Sequence, residues 1–379
     1  MERRQITPRF NWQDKVEQLG FGFHTTDDLY WDESACYVFS SNEIEHIERV
    51  TSELWELCLE AVQYVIDEKM YDQFRIPRAF VPMIEKSWND DHPSVYGRFD
   101  LCFRDGELKM FEFNADTPTS LFEAGIVQWH WLQDFAPEKD QFNSIHEKLI
   151  STWRYLKQFM YDAPLHFACV RNSLEDLTTT EYLRDCAMQA GFDTRQLYMD
   201  EIGWDTDNLC FADLEELPIR NIFKLYPWEY LITETFGNHI PSDKNRALWI
   251  EPAWKMLLSN KAILPVIWGL NPGHPNLLEC HFDAFGKKNY VRKPIFSREG
   301  ANVSMYKDGF LKEQTVGAYG EEGHVYQELF ELPSFYGNYP VIGSWVIGQE
   351  PAGIGIRESH SLITDNMSRF VPHFMDQGV

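Results

Sequence analysis

The chain has 379 residues, enough to bury a large core spread over two or three lobes. It carries 34 lysines and arginines against 59 aspartates and glutamates, a formal net charge of −25, which argues against nucleic acid or an anionic membrane as the main partner. Seven widely spaced cysteines with no C-x-x-C pair read as the reduced thiols of a cytoplasmic protein, not as a disulfide or zinc framework. The opening MERRQITPRF lacks the apolar centre of a signal peptide, and no apolar run reaches membrane-spanning length. An acidic surface suits a cationic substrate such as an amine, although such surfaces serve solubility too. There is no repeat or obvious linker, so the lobes are expected to interleave.

Residues 1–40 are rich in aromatics and turns, and no element is assigned to them. A long helix is predicted from Ser41, with Asn42 and Glu45 as its capping box and Ile44, Ile47, Leu54, Leu57, Ala61 and Val65 as its apolar stripe. From Tyr96 to Glu123 the pattern changes to that of two strands. Phe99, Leu101 and Phe103 alternate with Arg98, Asp100 and Cys102. Beyond Asp105-Gly106, Phe111 and Phe113 alternate with Met110, Glu112 and Asn114. A three-residue loop, Asp105-Gly106-Glu107, would pair Asp100 with Glu112 and Arg98 with Asn114 on one face. Two carboxylates and an amide oxygen are hard ligands suited to magnesium, and Arg98 adds a planar cationic fork. The ordinary alternative is a hairpin with a solvated charged face. Thr117-Pro118 then reads as an N-cap with proline at the first helical position, opening a helix that ends near Phe135.

Gln141 to Met160 is predicted helical. Leu165 to Asp205 reads as a βαβ unit: strand LHFACV, a helix over Thr180–Ala190 ended by Gly191, and a strand over Arg195–Met199. Glu175 and Asp176 fall in the loop after its first strand, where they could hold an amine or simply be solvated. Lys261, between Ser259-Asn260 and an apolar run, could reach inward to a phosphate or snorkel outward. A short strand carries Lys293, followed by the small polar loop Ser297, Arg298, Glu299, Gly300, Ala301, which could fold over phosphates. VYQELF, Val325 to Phe330, is a strand whose Gln327 and Glu328 could meet an adenine edge and a ribose. The stretch from Ser344 to Thr364 reads as two strands around a turn and offers Arg357 as a second anion clamp. No G-x-x-x-x-G-K-[ST] or complete dinucleotide fingerprint is present.

Several long motifs also carry a resemblance. They are R-x-D (Arg98, Asp100), E-x-N-A-D-T-P-T-S (Glu112 to Ser120), N-K-A-I-L-P (Asn260 to Pro265), K-P-I-F-S-R-E-G-A-N-V (Lys293 to Val303) and G-I-G-I-R-E (Gly353 to Glu358). Over nearly its whole length the chain resembles the glutathionylspermidine synthase family, in particular its acid–amine ligase branch. The resemblance implies an α+β to α/β chain with an ATP-grasp fold of rearranged element order and a small βαβ lobe of pre-ATP-grasp type. It implies one ligase unit over 1–379, with approximate lobes 1–160 (helical, with the metal hairpin), 161–220 (the βαβ lobe) and 221–379 (nucleotide binding). Asp100, Glu112 and Asn114 would hold Mg2+, and Lys261 and Lys293 the ATP phosphates. Arg98 and its neighbour Phe99 belong to the ATP-binding stretch. Glu299 and Gly300 would form the lid, and Gln327, Glu328, Leu329 and Phe330 the adenine pocket with Leu362. Arg98 would stabilise the transferring phosphoryl group and Arg357 would help position it. Thr117 and Thr119 match positions near the acid, and Glu175 and Asp176 would face the amine. The implied reaction is ATP- and magnesium-dependent joining of a small carboxylic acid, of a peptide or glutathione-like kind, to an amine of a polyamine kind. No amidase domain is expected ahead of this ligase part. The competing readings are an ATPase of the same fold without ligation and a non-enzymatic acidic scaffold.

Overall fold

The computed structural model describes residues 1–25, 28–364 and 368–376. At its centre is a five-stranded antiparallel sheet in the order Arg369–Val371, Glu350–Ser359, Tyr339–Ile347, Tyr96–Arg104, Glu107–Asn114. Strand alternation sends Phe99, Leu101, Ile342, Ile354 and Ile356 to one face, where they join the main core. The helix Ser41–Asp67 covers that face. Its capping box is built two residues earlier than expected: the Ser40 side chain accepts from the Glu43 backbone N–H, and Glu43 reaches back to the Ser40 N–H. Ile44, Ile47, Leu54, Ala61 and Val65 are buried as their spacing predicts, and Leu57 lies at the rim.

The hairpin reaches the expected pairing by a different route. Its turn has two residues, not three: Arg104 pairs with Glu107, and both Asp105 (φ 53°) and Gly106 (φ 82°) are left-handed, as a tight hairpin turn requires. That register alone would put Asp100 and Glu112 on opposite faces. A β-bulge corrects it, because Leu101 pairs with Met110 while Asp100 pairs with Glu112, leaving Phe111 as the extra residue. Arg98 then pairs with Asn114. The bulge also exchanges two side chains relative to simple alternation. Met110 enters the core, and Phe111 moves to the polar side.

A second five-stranded antiparallel sheet, in the order Cys280–His281, His324–Glu328, Tyr290–Pro294, Ser304–Lys307, Phe310–Gln314, faces the polar side of the first. A four-stranded parallel sheet, Leu248–Ile250, Asn221–Leu225, Leu165–Cys169, Thr194–Tyr198, contains the expected βαβ unit. It continues past residue 220, with Asn221–Leu225 and Leu248–Ile250 in the same sheet as Leu165–Cys169. The central sheet likewise draws strands from both ends of the chain. A third small sheet, Glu2–Gln5, Ala35–Phe39 and His373–Met375, ties the N-terminal segment to the C-terminal one. Arg3 reinforces this by ion-pairing with buried Glu358 (2.6 Å). The G-I-G-I-R-E motif lies within one strand, and the turn before it is at residues 348–349. Among the described residues no helix is long and apolar enough to cross a membrane, and the seven cysteines are free and buried.

Two helix starts differ from expectation. The helix expected at Pro118 begins at Leu121, after Ser120 in a left-handed conformation (φ 68°). It passes through a wider π turn over Glu123–Val127, then continues as Gln128–Phe135. Thr117 does not cap it, because the helix begins four residues later; its hydroxyl accepts from Arg298 Nη1 at 2.7 Å. The helix of the βαβ unit starts early, at Leu174, capped by Ser173, which accepts from the Asp176 N–H at 3.1 Å. Glu175 and Asp176 therefore sit in a first helical turn and not in a loop.

Candidate active site

One pocket between the two five-stranded sheets brings together most of the predicted residues. Arg98, Asp100, Glu112, Asn114, Thr117, Thr119, Lys261, Lys293, Glu299, Gly300, Gln327, Phe330, Arg357 and Leu362 all line it. Phe99 does not: it is fully buried on the other face, stacked on Phe113 at 4.2 Å, so only its backbone belongs to the site strand. Glu328 is exposed and accepts from the Glu279 N–H at 3.3 Å, and Leu329 packs behind the wall with Val303 and Ile363. In a strand that forms one wall, alternate residues necessarily face away.

The floor is the polar row of the central sheet. Arg98 grips Asp100 through Nε to Oδ1 (2.8 Å) and Nη2 to Oδ2 (3.3 Å), and Arg357 Nη2 bonds the same Oδ2. Burial by itself would raise the Asp100 pKa, but Arg357 and Arg98 together pull it down to about 2. Gly343, paired with Asp100 on the neighbouring strand, makes this clamp possible. A Cβ there would lie 2.7 Å from Arg98 Cδ. Glu112 is flanked by Lys261 Nζ (3.4 Å) and Lys293 Nζ (3.9 Å), which hold its carboxyl below the usual range against the opposing effect of burial. Lys261 thus reaches inward, as its neighbours in sequence allowed.

The pocket lining holds five cationic side chains, Arg98, Lys261, Lys293, Arg298 and Arg357, against three carboxylates, Asp100, Glu112 and Glu299. A cationic pocket in a chain of net charge −25 is a local inversion suited to a polyanion. Two buried donors there, Asn114 Nδ2 and Arg357 Nε, have no partner, and unpaired buried donors are costly unless a ligand meets them. The donor set of Asp100, Glu112 and Asn114 is chemically right for magnesium, since all three offer hard oxygens and the unpartnered Asn114 amide is free to turn its oxygen inward. Among the described residues no cluster of three or more His, Cys, Asp or Glu could hold a metal, so this set rests on two carboxylates and an amide.

The opposite wall is suited to a flat ring. Gln327 Nε2 and Lys293 Nζ both donate to the Phe111 carbonyl (3.2 and 3.0 Å), anchoring the bulge, and Val291, Met305, Phe330 and Leu362 make the surface apolar. The loop carrying Glu299 and Gly300 closes one side. Gly300 (φ 67°) admits no side chain, because a Cβ would lie 2.4 Å from the Thr364 carbonyl oxygen. Arg298 fastens the loop to Glu229 (2.6 Å) and Thr117 (2.7 Å).

Glu175 and Asp176 lie outside this pocket but within electrostatic reach of it. Burial, with Glu123 and Asp176 adding like charge, pushes the Glu175 carboxyl up to about 8. Burial also raises Asp176, to about 6. Glu123 is the residue the sequence analysis missed. It is fully buried, accepts from Tyr30 Oη at 2.6 Å, and is raised by burial to about 7. Its signal was available: a single carboxylate inside the apolar run LFEAGIV.

Comparison with known proteins gives the family. The glutathionylspermidine synthase pre-ATP-grasp family profile matches residues 3–376. A Haemophilus influenzae protein provisionally named an acid–amine ligase is 41% identical over 95% of this chain and 96% of its own length. Trypanothione synthetase of Crithidia fasciculata is 30% identical over 84% of the chain, and the bifunctional glutathionylspermidine synthetase/amidase of Escherichia coli K12 is 27% identical over 89%. The alignments span 53% and 58% of those two longer proteins. The structure of a glutathione synthetase-like effector from Globodera pallida superposes with a TM-score of 0.56 at 10% identity, covering 90% of this chain and 89% of that one, a likeness of fold alone. On the match along nearly its whole length, the chain belongs to the glutathionylspermidine synthase family, a family of ATP-dependent carbon–nitrogen ligases.

Proposed function

We propose that this protein is an ATP-grasp ligase that joins a small carboxylic acid to an amine through an acyl phosphate, using ATP and magnesium. The observation that carries the reading is the cationic cleft between two antiparallel sheets, with Asp100, Glu112 and Asn114 on one wall and an apolar slot on the other. Magnesium bound there would neutralise phosphate charge and orient the γ-phosphoryl group. Lys261 and Lys293, at present turned to Glu112, supply point charges for the phosphates. The adenine would lie against Phe330 and Leu362 with Gln327 at its edge. Arg98, gripped by Asp100, is already oriented where charge is greatest while the phosphoryl group is in flight. Arg357 bears on the same carboxylate and offers its unpartnered Nε to the same oxygens. The acid would enter beside Thr117 and Thr119. The loop around Gly300 would exclude the water that hydrolyses acyl phosphates.

The amine side is the acidic group of Glu175 and Asp176, whose raised pKa values mark half-buried carboxylates short of positive partners. Their charge suits an ammonium group, and the names of the relatives point to polyamine-type amines and glutathione-type acids. The deciding experiment incubates the protein with ATP, magnesium and pools of small acids and amines, and searches for a new amide by mass spectrometry. A new amide formed with stoichiometric ADP establishes the ligase. ADP release that no acid or amine changes makes the protein an ATPase. No nucleotide binding at all returns it to the scaffold reading.

A further inference from the structure

Resting on that ligase reading, the buried charges behind the cleft bear on how the acid is placed. Among the described residues, two ion pairs have both side chains wholly buried: Lys224 with Asp116 and Lys255 with Glu251, each at 2.8 Å. Lys224 and Glu251 come from the carboxyl ends of two neighbouring parallel strands, Asn221–Leu225 and Leu248–Ile250. The two pairs grip the two ends of the site hairpin. Glu251 accepts from the Val95 and Tyr96 N–H groups, where the hairpin begins. Asp116 lies two residues beyond Asn114, where the hairpin ends, and both its oxygens are held. Oδ1 accepts from Lys224 Nζ at 2.8 Å, and Oδ2 accepts from the Trp228 N–H at 2.7 Å. Lys224 Nζ also donates to the Tyr226 carbonyl at 2.8 Å and lies 4.4 Å from the centre of the Trp228 ring. Burying an ion pair where apolar residues of equal volume could pack commonly gains no stability. What this pair does fix is the place of residue 116.

Asp116 opens the segment that runs through Thr117 and Pro118 to Thr119, and both threonines line the pocket. The segment is pinned from three directions. Thr117 Oγ1 accepts from Arg298 of the loop around Gly300, the Thr119 carbonyl accepts from Arg98 of the central sheet, and Asp116 is held by the parallel sheet. Arg98 and Arg298 also line the pocket, whereas Lys224 and Asp116 lie behind that lining. We propose that Lys224 and Asp116 are positioning residues for the acid. From behind the cleft, their ion pair holds Thr117 and Thr119 at the distance from Arg98 at which the substrate carboxylate meets the γ-phosphoryl group. The chemistry of the pair makes the arrangement exacting. Both partners of the Asp116 carboxylate are donors, so an amide in its place can satisfy only one of them with its oxygen.

The test separates positioning from stability. Wild type, Lys224→Met, Asp116→Asn and the double variant are given ATP, magnesium and a graded mixture of glutathione and the protein amino acids, with hydroxylamine as the nucleophile. Hydroxylamine is unprotonated at neutral pH and traps an acyl phosphate as a hydroxamate, so the amine side of the cleft does not enter the readout. In each single variant the acid concentration that gives half-maximal hydroxamate should rise by about tenfold, the scale of a small misplacement of a reacting group. ATP affinity, measured by calorimetry, should hold at the wild-type value. The double variant removes both charges together and keeps an acceptor for the Trp228 N–H, so its melting temperature should return toward wild type while the acid requirement stays raised. An acid requirement that recovers along with the melting temperature makes the pair structural only and overturns the proposal. So does an unchanged acid requirement in any folded variant, or a loss of ATP affinity that matches the loss of acid. Asp116→Asn, which keeps one of the two hydrogen bonds, decides the matter if the others do not fold. Wild type forming no hydroxamate overturns the ligase reading, and this inference with it.

Discussion

Two groups of buried and half-buried acids flank Arg98, and their pKa values shift in opposite directions. Asp100 and Glu112 are each pressed between two cations and are held below the ordinary carboxylate range. Glu123, Glu175 and Asp176 have burial without sufficient cationic neighbours and are pushed up, to about 7, 8 and 6. The residue types are the same, and surroundings alone separate them. The first group stays ionised at neutral pH, which suits the proposed phosphate and metal site. The second is pushed toward its protonated form, which suits the proposed amine side.

The largest effect should come from breaking the first group at its hub. Arg98→Ala is expected to lower turnover by about a hundredfold or more while ATP binding stays within about tenfold, because its contact matters most in the transition state. ADP release at saturating ATP and magnesium, with calorimetry in parallel, measures both, and normal turnover would reduce Arg98 to a structural charge. Lysine should rescue poorly, since a point charge cannot reproduce the fork on Asp100. Next, Lys293→Ala should weaken ATP binding by roughly 2–3 kcal/mol, the scale of a charge-assisted contact; unchanged affinity with the fold intact refutes that role.

A subtler break leaves every charge in place. Gly343→Ala puts a methyl group 2.7 Å from Arg98 Cδ and should push the guanidinium off Asp100. A turnover loss of roughly tenfold is expected, the consequence of a small misplacement of a transition-state contact. Kinetics equal to wild type would show that the clamp tolerates movement.

The smallest effect sharpens the contrast through pH. Glu175 has a raised folded-state pKa, so its contribution to stability is full below its ordinary value of 4.5 and is lost as pH rises through about 8. Asp100 has a depressed one, so its contribution is full above 3.8 and is lost as pH falls toward about 2. Glu175→Gln should therefore flatten the decline in melting temperature between roughly pH 5 and pH 8. A decline as steep as that of wild type would show that Glu175 does not titrate in that window.

The hairpin shows how far pattern reading carried. Alternation put Arg98, Asp100, Glu112 and Asn114 on one face, and that is their arrangement. The loop length behind that register was wrong, and a bulge at Phe111 made up the difference, because hydrogen bonds from Lys293 and Gln327 hold the Phe111 carbonyl from another sheet. Glu175 and Asp176 lie in a first helical turn and not in the predicted loop, because Ser173 caps the helix three residues before Asp176. Glu123 carries no pattern signal of its contact, because its partner, Tyr30, lies in a segment with no predicted element.

By itself, the sequence determined what depends on neighbours along the chain: the strand period that faces Arg98 and Asp100 together, the apolar stripe from Ile44 to Val65, and the motifs that carry the family. Only the tertiary structure decided which charges meet. Arg357 reaches Asp100 across 257 residues, and Lys261 reaches Glu112 from outside either hairpin strand. A periodicity specifies a face, but the sign and number of charges opposite that face come from elements folded onto it. Those charges are what drive one carboxylate down to about 2 and another up to about 8.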